Sequence, residues 1–289
     1  MVLGAGGRLG AALVRAWSGE FAVTGFTRAE LDLGAPEQLR DSLGALDFDA
    51  LVNAAALTNV DYCENHEAEA VQSNAAAPQL LAELCREMGA RFVHLSTDYV
   101  FDGEKREPYT EADAANPISV YGASKRAGEE RVLTANPAAL VARVSWVFGP
   151  DRPSFVDAIL QKARTETAVA AVADKFSTPT YTGDIAAMLR TAGVGAPGYS
   201  GVLHLASRGA CSWQEYAQWA LDCCHRYGVP MAATRVGASS LGEMKSFVAR
   251  RPVYTVLATE RYAELTGEAP RDWHDAVEQY VREHYAGKV

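Results

Sequence analysis

The chain opens on MVL and then GAGGRLG, an apolar run followed by glycines at positions 4, 7 and 10, and continues into AALVRAW, whose apolar residues recur at three and four. This order restricts the fold more than any other feature. The run reads as the end of a strand, the glycines as a tight turn, and the remainder as an amphipathic helix. Backbone N–H groups at such a helix N-terminus face outward over side-chain-free residues, which suits the pyrophosphate of a dinucleotide. A glycine triplet occurs in many turns; its place at the first strand-to-helix junction of an alternating series carries the reading. Three residues make a short first strand, so a few further residues are expected ahead of Met1.

The alternation follows. FAVTGFT reads as a strand, APEQLRDSLGAL as a helix opened by Pro36, and DALVNAAA as a strand. Residues 64–88 read as one or two helices interrupted near Pro78, RFVHLST as a strand and ALVARVSWVF as another. SFVDAILQKAR and TGDIAAMLRTAG suggest helices, GVLHLAS a strand and SWQEYAQWALDCCHRYG a long helix. Strands alternating with helices imply an α/β fold: a Rossmann-like, doubly wound parallel sheet with helices on both faces and a smaller C-terminal substrate lobe. The change of pattern at VFGPD divides a dinucleotide-binding domain, 1–148, from a mainly substrate-binding lobe, 149–289, with segments after 170 free to return to the first.

Composition narrows the function classes. A net charge of -9 disfavours nucleic acid, whose binding relies on an excess of Lys and Arg. No apolar run approaches the roughly 20 residues needed to span a bilayer, and the N-terminus lacks the pattern of a signal peptide, so a cytoplasmic protein with no membrane partner is expected. The five cysteines are odd in number and lack a CxxC pair. Cys63 and His66 in CENH are two ligand types without a second pair, and no metal site is expected there.

In SVYGASKRAGE, Tyr121 precedes Lys125 by four residues. On a helix both leave the same face, and an adjacent ammonium favours the phenolate and lowers the phenol pKa. Ser96, Thr97 and Asp98 follow the apolar run of RFVHLST, at the carboxyl end of a strand, where open α/β sheets bind ligands. In FTRAELDL, Arg28 with Arg8 could hold a 2′-phosphate, while Asp32 could bond a ribose 2′-hydroxyl; NADPH is the expected cofactor, with NADH the alternative.

Thr97, Tyr121 and Lys125 behind a glycine turn resemble the Ser/Thr, Tyr, Lys site of the extended short-chain dehydrogenase/reductase superfamily. Within it, NAAALTNVDYCE, STDYVFDG, PYTEAD, NPISVYGASKRAGE, RVSWVFGP, DKFSTPTYTGDIA, GVLHLASRGACSWQEYA and RRPVYTVL occur in the order seen in dTDP-4-dehydrorhamnose reductases. The resemblance covers most of the chain. It implies NAD(P)H-dependent reduction of the 4-keto group of a nucleotide-linked deoxysugar, with dTDP-4-dehydro-L-rhamnose as the leading substrate and a homodimer as the candidate assembly.

By position, the resemblance puts Gly4, Gly7, Arg8, Leu9 and Gly10 at the pyrophosphate turn, Arg28, Asp32 and Leu33 at the adenosine end, and Ala56, Leu57 and Thr58 along the inner side of the cofactor. It makes Thr97, Tyr121 and Lys125 catalytic, the last two also touching the cofactor, and sets Thr97, Asp98 and Trp146 against the sugar and Arg251 against the diphosphate. Ser154 stands where the family usually has Asn, DKFSTPT departs from Asp-Gln-x-Gly-x-Pro-Thr, and RRPVYTVL lacks the usual Asn-Ser. A nucleotide-sugar dehydratase or epimerase shares the Tyr and Lys, although dehydratases usually place Asp-Glu after the Thr, where this chain has Asp98-Tyr99. The regulatory β subunit of methionine adenosyltransferase also has a similar chain and acts through a partner enzyme.

Overall fold

The computed structural model describes residues 1–195 and 198–287. Six strands form its central sheet: β1 (Val2–Leu3), β2 (Gly25–Phe26), β3 (Ala50–Asn53), β4 (Arg91–Thr97), β5 (Leu140–Val144) and β6 (Gly201–His204). They pair in the order β6-β5-β4-β3-β1-β2, every pair parallel. Successive residues point to opposite faces, so Leu51, Phe92 and Val141 enter one apolar cluster while Val52, Val93 and Leu140 enter another. Both faces are therefore covered. Helices Pro36–Gly44, Ala77–Met88 and Val120–Ala135 supply Leu39, Leu81 and Val132 to the first cluster; Arg8–Trp17 and Thr182–Leu189 supply Leu13 and Ile185 to the second. This is the expected Rossmann-like α/β arrangement.

Strand order reverses between β1 and β3, and the crevice beyond the carboxyl ends of strands at such a switch is where open α/β sheets take ligands. A third apolar cluster fills the second lobe, built on helices Phe155–Ala163, Trp213–Arg226 and Trp273–His284 and a parallel ladder of Val169–Val172 with Val236–Ser239. Ser212 caps the middle helix, its hydroxyl accepting from Glu215 N–H while the Glu215 carboxylate accepts from Ser212 N–H.

Three elements differ from the sequence reading. ALVARVSWVF is not one strand: β5 ends at Val144, Trp146 takes φ 41°, and Val147–Phe148 pairs with Thr180–Tyr181 outside the central sheet. FAVTGFT contributes only Gly25–Phe26, on the sheet edge, where a short strand leaves little open backbone. Pro78 does not end the helix: Glu67–Val71, Gln72–Ala76 and Ala77–Met88 form one continuous run, and the irregularity is a π-helical turn at Gln72–Ala76, just ahead of the residue that lacks an N–H for that turn. The five cysteines are buried free thiols. Among the described residues no helix is long and apolar enough to cross a membrane.

Candidate active site

A cavity of about 1060 Å³ runs from the glycine turn across the carboxyl ends of β1, β3 and β4 to the second lobe. Gly4, Gly7, Arg8, Leu9, Arg28, Asp32, Leu33, Ala56, Leu57, Thr58, Thr97, Asp98, Tyr121, Lys125 and Trp146 all line it. Gly10 lies behind the wall: a Cβ there would stand 2.1 Å from Gly4 O, so its smallness lets the helix press against the turn. Arg251 is also outside the wall, joined instead to Asp61.

At the glycine turn Gly4, Gly6 and Gly7 present bare backbone, and the first turn of Arg8–Trp17 carries no acidic residue that would repel an anion. Arg8 lines this space, but its guanidinium is already engaged by backbone carbonyls. Its Nε donates to Arg152 O and its Nη1 to Val147 O, both at 3.1 Å, and Nη2 donates to Pro153 O. These carbonyls outcompete an open position because they satisfy the guanidinium on three sides. Arg152 answers by donating from Nε to Gly6 O at 2.6 Å, so two arginines cross-tie the turn to the second lobe. Arg152 lines the cavity and escaped the sequence reading, which treated residues after 148 as substrate lobe.

Arg28 lines the cavity with its side chain 82% exposed, bonded loosely from Nε to Asp32 Oδ2 at 3.4 Å. Farther in, Leu57 is fixed at both backbone groups by Asn74, whose Oδ1 accepts Leu57 N–H at 2.8 Å and whose Nδ2 donates to Leu57 O at 3.0 Å. Asn74, fully buried in the π-helical turn, also donates to Ser124 Oγ. A polar residue inside an apolar helical stretch was its only signal.

Thr97 ends β4 and caps the turn Asp98–Val100, its hydroxyl accepting from Tyr99 N–H at 3.2 Å and donating to Asp98 Oδ1 at 3.1 Å. Helix Val120–Ala135 starts at Ser119, whose hydroxyl accepts from Gly122 N–H. Gly122 allows this helix to touch the turn, since a Cβ would lie 2.2 Å from Tyr99 O. Tyr121 is thereby packed edge-on to Tyr99, with ring centroids 5.7 Å apart. Burial pushes the Tyr121 phenol well above its ordinary value, the hydrogen bond with Thr97 opposing and the charges of Asp98 and Cys63 adding to the rise.

The tuning of Tyr121 by Lys125 is therefore not what this geometry provides. Lys125 Nζ donates to Leu95 O at 2.6 Å and lies 3.3 Å from His94 Nε2, drawn to the carbonyl because a buried ammonium requires an acceptor. Burial lowers its pKa to about 8, with Glu129 opposing. Burial, followed by the charge of Lys125, holds His94 well below the usual histidine range, so it is neutral. Behind them Glu129 accepts from Arg143 through both carboxylate oxygens, at 2.8 and 2.7 Å, and from Ser96 Oγ at 2.6 Å. This buried network anchors the helix that carries Tyr121 and Lys125.

Beside Thr97, Asp98 also accepts from Ser145 Oγ at 3.0 Å; burial pushes its carboxyl up, with Lys175 the strongest opposing influence. Trp146, the one non-glycine residue in the left-handed region among those described, packs on Phe155, Trp213 and Tyr216 and brings this aromatic cluster to the cavity. Cys63 Sγ faces Leu57 O, and His66 stacks on Tyr62 with centroids 3.7 Å apart.

A family model described as "RmlD substrate binding domain" matches residues 1–286. The chain belongs to this family. The dTDP-4-dehydrorhamnose reductase of Burkholderia thailandensis is 36% identical over 293 residues, covering 98% of each chain. A probable dTDP-4,6-dihydroxy-2-methyloxan-3-one 4-ketoreductase of Streptomyces antibioticus is 38% identical over 282 residues, 96% of this chain and 93% of the relative. The crystal structure of dTDP-4-dehydrorhamnose reductase from Bacillus anthracis in complex with NADP superposes with a TM-score of 0.89 at 28% identity, covering 98% of both chains.

Proposed function

We propose that this chain uses NADPH to reduce the 4-keto group of a dTDP-linked 6-deoxysugar, with dTDP-4-dehydro-L-rhamnose as substrate. The observation that carries the reading is the meeting of Thr97, Tyr121 and Lys125 in one cavity whose other end is the bare glycine turn. The named relatives support the same activity. The cavity wall has side-chain-free backbone for a pyrophosphate and an exposed Arg28 for a 2′-phosphate, so the residues fit NADPH, and NADH remains the alternative donor.

When bound, a reduced nicotinamide supplies a hydride to the carbonyl carbon. Tyr121 supplies the proton: its phenol is protonated at neutral pH and donates to the ketone oxygen as negative charge develops there. Thr97 is placed to turn its hydroxyl toward the same oxygen while Tyr99 N–H fixes its own oxygen. Lys125, held by Leu95 O, retains N–H groups for a ribose hydroxyl of the cofactor. Asp98 and Trp146 orient the sugar. Residues 1–148, completed by Thr182–Leu189 and Gly201–His204, then serve the dinucleotide, and the rest of 149–289 mainly the substrate. The enzyme works in the cytoplasm as a homodimer, a state that light scattering tests.

A second deoxysugar is favoured by one observation, the similarity to the Streptomyces antibioticus 4-ketoreductase, which is named for a different substrate. The deciding experiment follows the loss of NADPH absorbance with dTDP-4-dehydro-L-rhamnose and with other dTDP-4-keto sugars, beside Tyr121→Phe. Wild-type turnover should fall by about 10²- to 10⁴-fold in the variant, with NADPH binding retained. Equal turnover in both proteins would overturn the role of Tyr121, and turnover only with another ketosugar would reassign the substrate.

A further inference from the structure

Arg251 is held in a cradle that already contains an anion. Asp61, on helix Val60–Asn65, accepts at Oδ1 from Val248 N–H and Ala249 N–H, both at 2.9 Å, and at Oδ2 from Arg251 Nη2 at 2.7 Å. Arg251 Nη1 donates to Ala249 O at 3.1 Å, and the guanidinium lies 4.6 Å from the Phe247 ring centroid. The arginine side chain is only 8% exposed. Burial pushes the Asp61 carboxyl up, but the hydrogen bonds from Ala249 and Arg251 outweigh it and leave the acid below its ordinary range.

Two successive backbone N–H groups and a guanidinium converging on one carboxylate form a donor set equally suited to phosphate oxygens. The cradle borders the cavity. Val60 and Tyr62, the neighbours of Asp61, line that cavity, and so does Tyr99, whose phenol feels the charges of both Arg251 and Asp61. We propose that Asp61 is an internal stand-in for a substrate phosphate: it fastens the strap Phe247–Pro252 to helix Val60–Asn65 while the site is free, and a nucleoside diphosphate displaces it from the same three donors. This exchange rests on the nucleotide-sugar reading above. It replaces charge-assisted hydrogen bonds with others of the same kind, so the guanidinium is never left buried without an anion. It also makes apparent affinity depend on the fraction of chains whose strap has been released.

The test measures dTDP binding by calorimetry to the wild-type protein, Asp61→Asn and Arg251→Gln, with NADPH affinity as the check that each variant is folded. Removing the competing charge in Asp61→Asn should tighten dTDP by about tenfold, and Arg251→Gln should weaken it. Trypsin gives a second measure on the nucleotide-free proteins: cleavage after Lys245 and Arg250 should be faster in Asp61→Asn and slowed again by dTDP. If Asp61→Asn weakens dTDP as Arg251→Gln does, Asp61 positions the arginine and the exchange is overturned. Unchanged trypsin cleavage would overturn the fastening. Absence of dTDP binding to the wild type and both variants would instead bring down the nucleotide reading itself.

Discussion

Lys125 donates its ammonium to the carbonyl oxygen of Leu95 across 2.6 Å, inside the helix-to-sheet contact that forms the Tyr121 end of the cavity. Burial lowers its pKa to about 8 from an unfolded value of 10.5. On the proposed role, in which the charged form holds the cofactor ribose, the KM for NADPH should rise and kcat/KM should fall as pH passes above about 8. Lys175 is lowered to the same value by burial, so the limb must survive Lys175→Gln and vanish in Lys125→Met if it belongs to Lys125. Stability runs the other way: between pH 8 and 10.5 the unfolded chain binds more protons at Lys125, and its contribution makes folding more favourable as pH rises.

Gly122→Ala should destabilise the protein by about 1–3 kcal/mol, because the new methyl group must displace the backbone at Tyr99. The same shift moves Tyr121 away from Thr97. Urea unfolding should show the lost stability, and the loss in kcat should exceed any change in NADPH binding.

Glu129 and Arg143 are both buried, joined by two hydrogen bonds of 2.8 and 2.7 Å. Glu129→Gln should cost about 3–5 kcal/mol, since Arg143 is then left as a buried charge without its partner. Burial raises the Glu129 pKa, but Arg143, Ser96 and Arg126 outweigh it and the net shift is downward. The corresponding stability is therefore present above the ordinary carboxylate range and lost as pH falls through the folded value. Acid unfolding of the wild type and variant should separate accordingly, with the difference smallest at low pH.

Arg28→Ala should weaken NADPH by about 1.5–3 kcal/mol, the range for a hydrogen bond to a charged group, while NADH affinity changes little. Fluorescence titration with both cofactors checks this. Equal losses would place Arg28 away from the 2′-phosphate.

The glycine turn, the strand-helix alternation and the pattern Thr97, Tyr121, Lys125 were legible because each is a local signal: a turn requirement, a periodicity, a spacing on one helix face. What Arg8, Lys125 and Arg251 touch was not legible. A guanidinium or ammonium seeks whichever acceptor tertiary packing brings near, and these found Val147 O, Leu95 O and Asp61, all remote in sequence. Asn74, Glu129 and Arg152 were missed for the same reason, since their partners Leu57, Arg143 and Gly6 meet them only after the sheet has formed. Trp146 misled in another way: its neighbours have strand composition, and nothing local marks the change of backbone hand that ends β5.

Gly201–His204 closes the sheet against β5, pairing Val202 with Val141 and Leu203 with Ala142. A growing chain therefore cannot finish its central sheet when the preceding strands have emerged; the flank of β5 stays bare until residue 204 is available, and the first half of the second lobe must be made in the interval. A fragment ending near residue 150 would carry that bare flank permanently and should self-associate through it.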